Sequence, residues 1–203
     1  MSGWAKKRLV MRRYDLTASI YDMRYFEEQT AKIKAALRNV SLKRQSTVLD
    51  AGCGTGLLFG HIADKVKLVV GVDISRKTLQ QAKKRAKIFP NVSLVLADVD
   101  QMPFPNASFS HIFAFTLLQN APSPLETLVE IKRVSKGKGE IVITALKKVF
   151  TLEEFVKLFQ NAGLKIDLIH GKGLKCYVAL CVNRNVDAGH VNRSLGVAFP
   201  KTA

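Results

Sequence analysis

The chain has 203 residues, 47% of them hydrophobic and 8% aromatic, with only six prolines, a composition that gives one globular core and excludes a disordered chain. Lysine and arginine number 32 against 16 aspartates and glutamates, and the net charge of +16 points to a polyanionic partner, nucleic acid first and an anionic membrane surface second. No apolar run reaches the ~18 residues of a membrane span, and the basic stretch 1–13 lacks the apolar segment of a secretory signal.

In chain order, residues 14–40 predict one or two helices, because Tyr14, Ala18, Tyr21, Tyr25 and Phe26 recur at helical spacing and form an aromatic stripe. Residues 1–45 are therefore expected to be an N-terminal helical extension, with the polar stretch 41–46 as the connector into the main domain. A strand is expected over 47–51, a helix over 57–65 and a second strand over 68–72. Ser75 is placed to cap a helix that runs through Lys87, since its hydroxyl can accept from free N–H groups of the first turn. A third strand over 93–97 precedes a turn-rich loop with Pro103, Pro105 and Asn106. A fourth strand follows over 109–115, then a loop over 119–124 and a helix to about Val134. Gly137 and Gly139 punctuate the approach to a fifth strand over 140–145. Thr151 and Glu154 have the spacing of a capping box for a helix that Gly163 stops. Residues 165–170 and 175–183, joined by Gly171-Lys172-Gly173, predict a closing hairpin. This alternation gives an α/β fold: a mostly parallel, seven-stranded sheet with one antiparallel strand at or near its edge and helices on both faces. The main domain is expected over 46–183, and 184–203, without clear periodicity, as a loose tail.

The chemistry concentrates in Leu49-Asp50-Ala51-Gly52-Cys53-Gly54-Thr55-Gly56. Alternating glycines directly after an apolar run make a tight strand-to-helix turn where backbone can approach a ligand, and Asp73 ends the next apolar run. A dinucleotide fingerprint reads G-x-G-x-x-G, whereas this turn reads acid-x-G-x-G-x-G and has no place for a pyrophosphate. Asp50 can accept from N–H groups of the turn and hold its shape. Asp73, at the tip of the second strand, can receive both hydroxyls of a ribose, and the neighbouring Ile74 can pack on a base.

The turn resembles motif I of the class I S-adenosylmethionine (SAM) dependent methyltransferases, and the later landmarks at Asp73 and Asp98 come in the same order. Tyr14-Asp15-Leu16-Thr17-Ala18-Ser19-Ile20-Tyr21-Asp22 resembles the segment that precedes motif I in ubiquinone-biosynthesis-like and tRNA-wobble-uridine-type members, so the resemblance covers about residues 14–183. It implies a Rossmann-like fold and SAM as cofactor. It further implies that Asp50, Gly52, Cys53 (in a variable slot), Gly54 and Gly56 lie along the methionine and ribose portions of the donor. Asp98 would accept from the adenine amine, with Asp100 as a competitor, and the backbone of Val99 would meet the ring. Thr116 would face the donor, Tyr21 would close over it, and Tyr14, Gln119 and Asn120 would face the methyl acceptor.

A sulfonium donor is already activated, so methyl transfer needs alignment and desolvation more than a base. No catalytic base is assigned: His111 lies inside the fourth strand and reads as a sheet residue, and Cys53 lacks the positive surroundings of a reactive thiol. The Asn/Asp-Pro-Pro-Tyr/Phe segment by which amino-group methyltransferases grip a planar nitrogen is not matched by Thr116-Leu117-Leu118-Gln119. The three cysteines (Cys53, Cys176, Cys181) spell neither a disulfide framework nor a zinc pattern, no metal site is expected, and a reducing cytoplasm is the expected location. Cations crowd Lys6 to Arg13, the helix after Asp73 and the region from Lys132 to Lys148, which makes RNA, or a protein bound to RNA, the first expected acceptor. A small quinone-precursor-like molecule is the first alternative, and a SAM-binding assembly factor without turnover the second. The resemblance to small archaeal and eukaryotic members further implies a small zinc-binding activator subunit, for which the third-strand region 92–97 is the candidate edge.

Overall fold

The computed structural model describes residues 3–183. Seven strands form one sheet in the order β3-β2-β1-β4-β5-β7-β6, built from β1 (Thr47–Ala51), β2 (Leu68–Asp73), β3 (Val92–Leu96), β4 (Phe109–Ala114), β5 (Ser135–Leu146), β6 (Lys165–His170) and β7 (Cys176–Val182). Only β7 runs antiparallel to its neighbours, β5 and β6, so the one reversed strand lies next to the edge as the hairpin pattern predicts.

Among the described residues there are six α-helices, α1 (Gly3–Thr17), α2 (Tyr21–Leu37), α3 (Phe59–Ile62), α4 (Arg76–Ala86), α5 (Pro124–Val134) and α6 (Leu152–Asn161), of which α2 to α6 cover the two faces. The inner strands β1, β2, β4 and β7 are largely apolar at successive positions because both faces are covered there. Leu49, Ile112, Ile141 and Ile143 point to one face, with Leu128 and Ile131 of α5 and Phe155 and Phe159 of α6. Their neighbours Val48, Phe113 and Val142 point to the other, with Ile33 of α2, Phe59 and Ile62 of α3 and Leu79 of α4. Period-two alternation of strand side chains thus produces two cores from one run of residues. It also sends Cys176 and Cys181 to opposite faces.

Several boundaries differ from the sequence reading. The first helix begins at Gly3 and not near residue 14, because Lys6 and Lys7 find partners on the body of the protein: Lys6 donates to the Ala121 carbonyl at 2.7 Å and Lys7 pairs with Asp98 and Asp100. The expected helix over 57–65 shortens to α3 and a single 3₁₀ turn, Ala63–Lys65. β5 begins five residues early, at Ser135, and carries a bulge: Phe109 pairs with Ser135, yet His111 pairs with Glu140, and Lys138 adopts φ 64°. Gly137 and Gly139 therefore belong to an irregular strand. The Ser75 cap and the Thr151/Glu154 capping box form as the spacing predicts. The tail at 184–203 lies outside the described residues.

The two N-terminal helices differ in how they are held. α2 sends Ile33 and Ala36 into a core, whereas α1 has no buried residue and rests on the C-terminal ends of the strands through polar contacts.

Candidate active site

Parallel strands bring their C-terminal ends to one edge, where α/β sheets bind ligands. Asp50 pairs in register with Gly71, and Asp73 with Leu96, so the ends of β1, β2 and β3 align, and Asp98 follows two residues past Leu96. Between them the glycine turn stays fastened to β2, because the N–H groups of Gly52 and Cys53 both donate to the Val72 carbonyl at 2.8 and 2.9 Å. Two glycines are needed for different reasons. Gly54 takes φ +56° with open space where a Cβ would stand. Gly56 takes φ +79°, and an added Cβ would lie 2.4 Å from the Phe59 ring.

The carboxylate that braces this turn is Asp73 and not Asp50. Asp73 accepts from the Gly54 N–H at 2.9 Å and from the Ser75 N–H at 2.8 Å. Burial raises its pKa, and these backbone N–H groups oppose the rise. Asp50 still belongs to the pleat of β1, is 2% exposed, and receives no hydrogen bond among the described residues. Burial, with the Asp73 charge adding, pushes its pKa up to about 8.

A cleft of about 810 Å³, counted out to its open mouth, lies on this edge. Tyr14, Tyr21, Gly52, Gly54, Asp73, Ile74, Asp98, Val99, Thr116 and Asn120 line it, all residues singled out from the sequence. An adjoining smaller cleft is lined by Tyr21, Asp50, Gly52, Cys53 and Gly54. Gly56 lines neither and serves the turn's packing against Phe59. Gln119 is also outside both: its Nε2 donates to the Thr116 carbonyl at 2.5 Å, and its Oε1 is buried without a partner. The structure thus places Gln119 outside the clefts, with its Nε2 spent on the strand end. Burial pushes the Cys53 thiol well above its ordinary range, with Asp73 and Asp50 adding, the opposite of what activates a thiol. His111 stands at the opposite half of β4, beside Ser110, the Ser41 carbonyl and Glu140, with its pKa lowered chiefly by burial.

The roof is α1 and the start of α2. Lys7 reaches into the cleft and pairs with both Asp98 and Asp100, the latter at 2.6 Å. Burial pulls its pKa down, but the hydrogen bonds to Asp100 and Asp98 outweigh that and raise it. Asp100 accepts from Thr127 as well. Asn120 donates to the Tyr14 hydroxyl at 3.0 Å, and Gln29 to the Tyr21 hydroxyl at 3.2 Å. Tyr14 and Tyr21 stand 6.0 Å apart, and burial raises the Tyr21 pKa. Two latches fasten the roof to the body: Asp15 accepts from Ser75 Oγ at 2.6 Å, and Asp22 accepts from Thr55 Oγ1 at 2.6 Å and pairs with Arg85 at 2.8 Å. The sequence reading missed Lys7 and Val10, although Lys7, Val10 and Tyr14 stand at i, i+3 and i+7 and so share a helix face. It also missed the Asp22–Arg85 pair, which joins residues far apart in the chain and leaves no local signal.

At the end of β4, Thr116 adopts φ 58°, a left-handed conformation costly for a β-branched residue. The body holds it there. Its N–H donates to the Thr144 hydroxyl at 2.8 Å, and its carbonyl accepts from Gln119 and Asn120. Its own hydroxyl faces Gln29 and the buried Lys32, whose ammonium pairs with Glu28 at 2.7 Å.

Residues 49–143, a little under half of the chain, match the family described as a methyltransferase domain, and the fold resembles that of solved SAM-dependent methyltransferases, among them one from Aquifex aeolicus with a TM-score of 0.67 at 20% identity over 74% of this chain and 88% of that one. SAM is the cofactor of that class. Among particular relatives, the chain is 29% identical over 150 residues to a malonyl-[acyl-carrier protein] O-methyltransferase of Marinomonas sp., a match over 73% of this chain and 55% of the relative. It is 32% identical over 124 residues to a demethylmenaquinone methyltransferase of Staphylococcus saprophyticus, over 58% of this chain and 52% of the relative. The chain thus spans about half the length of these relatives. In fold it resembles a chain of the complex of the Haloferax volcanii Trm112 methyltransferase activator, with a TM-score of 0.74 at 18% identity over 84% of this chain and 97% of that one.

The residues present suit this cofactor. A buried carboxylate without a hydrogen-bond donor, Asp50, matches the ammonium of its methionine portion. The open space beside Gly54 admits close approach to the backbone, and Ile74 and Val99 give the apolar walls that a purine needs.

Proposed function

We propose that this chain transfers the methyl group of SAM to an organic acceptor that meets the donor beneath the α1 roof. The observation that carries the reading is the alignment of Asp50, Asp73 and Asp98 on three adjacent strand ends around one glycine turn, all facing the two joined clefts. When bound, SAM supplies an activated methyl group. The chain's own residues hold and orient it: Asp50 at the ammonium, Asp73 at the ribose hydroxyls, Asp98 at the adenine amine. Thr116, Tyr14 and Asn120 then shape the side from which an acceptor approaches. Val10, Phe115, Leu117 and Pro122 make that side largely apolar, which supports a small organic acceptor, as do the names of the two relatives.

A second reading has RNA, or a protein bound to RNA, as acceptor, and the net charge of +16 and the cations of α1 and α4 favour it. It also admits an activator subunit, for which the edge strand β3, with Leu96 48% exposed, offers unpaired backbone.

Incubation with methyl-labelled SAM and separated metabolite, lipid, RNA and protein fractions tests both readings. Label in metabolite or lipid is expected, and label confined to RNA or protein would transfer the assignment to the second reading. Titration calorimetry with SAM tests the site itself: Asp73→Ala should weaken binding about tenfold or more, ~1.4 kcal/mol, and unchanged affinity would overturn the site.

A further inference from the structure

α1 turns Lys6, Lys7, Val10 and Tyr14 towards the body and leaves its other face in solvent. Leu9 and Leu16 are 56% and 70% exposed there, Trp4 near the helix start is 61% exposed, and Arg8 and Arg12 lie on the same exposed face. α2 opens with Met23, Arg24 and Phe26, also exposed. Half of the exposed large apolar side chains among the described residues fall between Trp4 and Phe26. Such a concentration marks an interaction surface.

Charge narrows the kind of partner. α1 carries five cations and a single acid, Asp15, which is turned inward to Ser75 and the Lys77 N–H. Asp22 is taken by Thr55 and Arg85, and Glu28 by Lys32 and Lys175, leaving Glu27 as the free-facing acid of the region. Next to α1, α4 has no acid and exposes Arg76, Lys77, Lys83 and Lys84. A polynucleotide would satisfy these cations but give Leu9, Leu16 and Met23 nothing apolar to cover them. An anionic bilayer satisfies both sets at once, since arginines meet headgroup phosphates while apolar side chains enter the acyl boundary.

We propose that the outer face of α1, with the start of α2, is a docking surface for an anionic lipid bilayer. The inference is independent of the methyl acceptor and stands or falls on binding alone. Trp4 is the one tryptophan of the chain, and at 61% exposed near the start of α1, with Lys7 at its ring, its fluorescence reports on this helix. Vesicles of phosphatidylcholine with phosphatidylglycerol should shift its emission to the blue and carry the protein upward in a flotation gradient, less so as salt rises. Vesicles of phosphatidylcholine alone should do neither. The paired variants Leu9→Gln with Leu16→Gln, and Arg8→Gln with Arg12→Gln, keep helix propensity, and each pair should lower vesicle affinity about tenfold or more. Absence of flotation with anionic vesicles, or binding that neither pair weakens, overturns the proposal. So does a Trp4 shift that grows with protein concentration in the absence of lipid, which would make the face a contact between two copies. RNA binding that survives the leucine pair, without vesicle binding, would assign the face to nucleic acid instead.

Discussion

Thr116 sits where each local preference opposes it. A β-branched residue at φ 58° costs on the order of 1–3 kcal/mol, and it persists because Thr144, Gln119 and Asn120 together saturate its backbone. Thr144 is fully buried, so Thr144→Val should leave the Thr116 N–H without an acceptor while keeping the volume. The expected loss is ~1–3 kcal/mol, read as a drop of several degrees in thermal denaturation, with weaker SAM binding alongside it; an unchanged Tm would mean that the strain is not held by this bond. The sequence could identify Thr116 as a strand-end residue facing a ligand, since order along the chain suffices for that. It could not show the strained angle, which depends on Thr144, 28 residues away, as well as on the nearby amides of Gln119 and Asn120. That Asp73 and not Asp50 braces the glycine turn has the same origin. Both stand at strand ends, and only the pleat decides which carboxylate reaches the Gly54 N–H.

At the scale of elements, what was legible followed periodicity and caps: the seven strands, the hairpin, Ser75 and the Thr151/Glu154 box. What was not legible depended on distant partners. The segment from Lys6 to Arg13 is made mostly of good helix formers, but what seats α1 on the body, with Lys7 on Asp98 and Asp100 and Asp15 on Ser75, has no local signal. The same contact has a consequence for the cofactor. If Asp98 accepts from the adenine amine, it does so with a carboxylate whose Oδ2 already pairs with the Lys7 ammonium, so α1 and the donor draw on one group. Lys7→Met should therefore bind SAM more tightly, about two- to tenfold given the modest worth of a partly exposed pair, with most of the gain in association rate by stopped-flow fluorescence. Weaker binding would make Lys7 part of the cofactor site and not its competitor.

For the molecule as a whole, the buried carboxyl of Asp50 couples stability, pH and cofactor. Its pKa is raised from 3.8 to about 8 by burial, with Asp73 adding. Between those values the folded chain keeps a proton that the unfolded chain has released, so this group's contribution to stability declines as pH rises and levels off above about 8. Asp73, also raised, acts in the same direction. His61 and His111, whose pKa values burial lowers from 6.5, act oppositely, but only up to that value. Above pH 6.5 the histidines no longer contribute and Asp50 is left to set the slope. The cofactor-free protein should therefore lose thermal stability between pH ~6.5 and ~8, and Asp50→Asn, neutral throughout, should flatten that loss and raise Tm at the upper end. A cation seated beside Asp50 favours its ionised form, so SAM binding should release a proton and strengthen as pH rises through the same window. Asp50→Asn should remove both the proton release and about tenfold or more of the affinity. Calorimetry in buffers of different ionisation enthalpy separates these effects, and proton release that persists in Asp50→Asn would assign the linkage to another group.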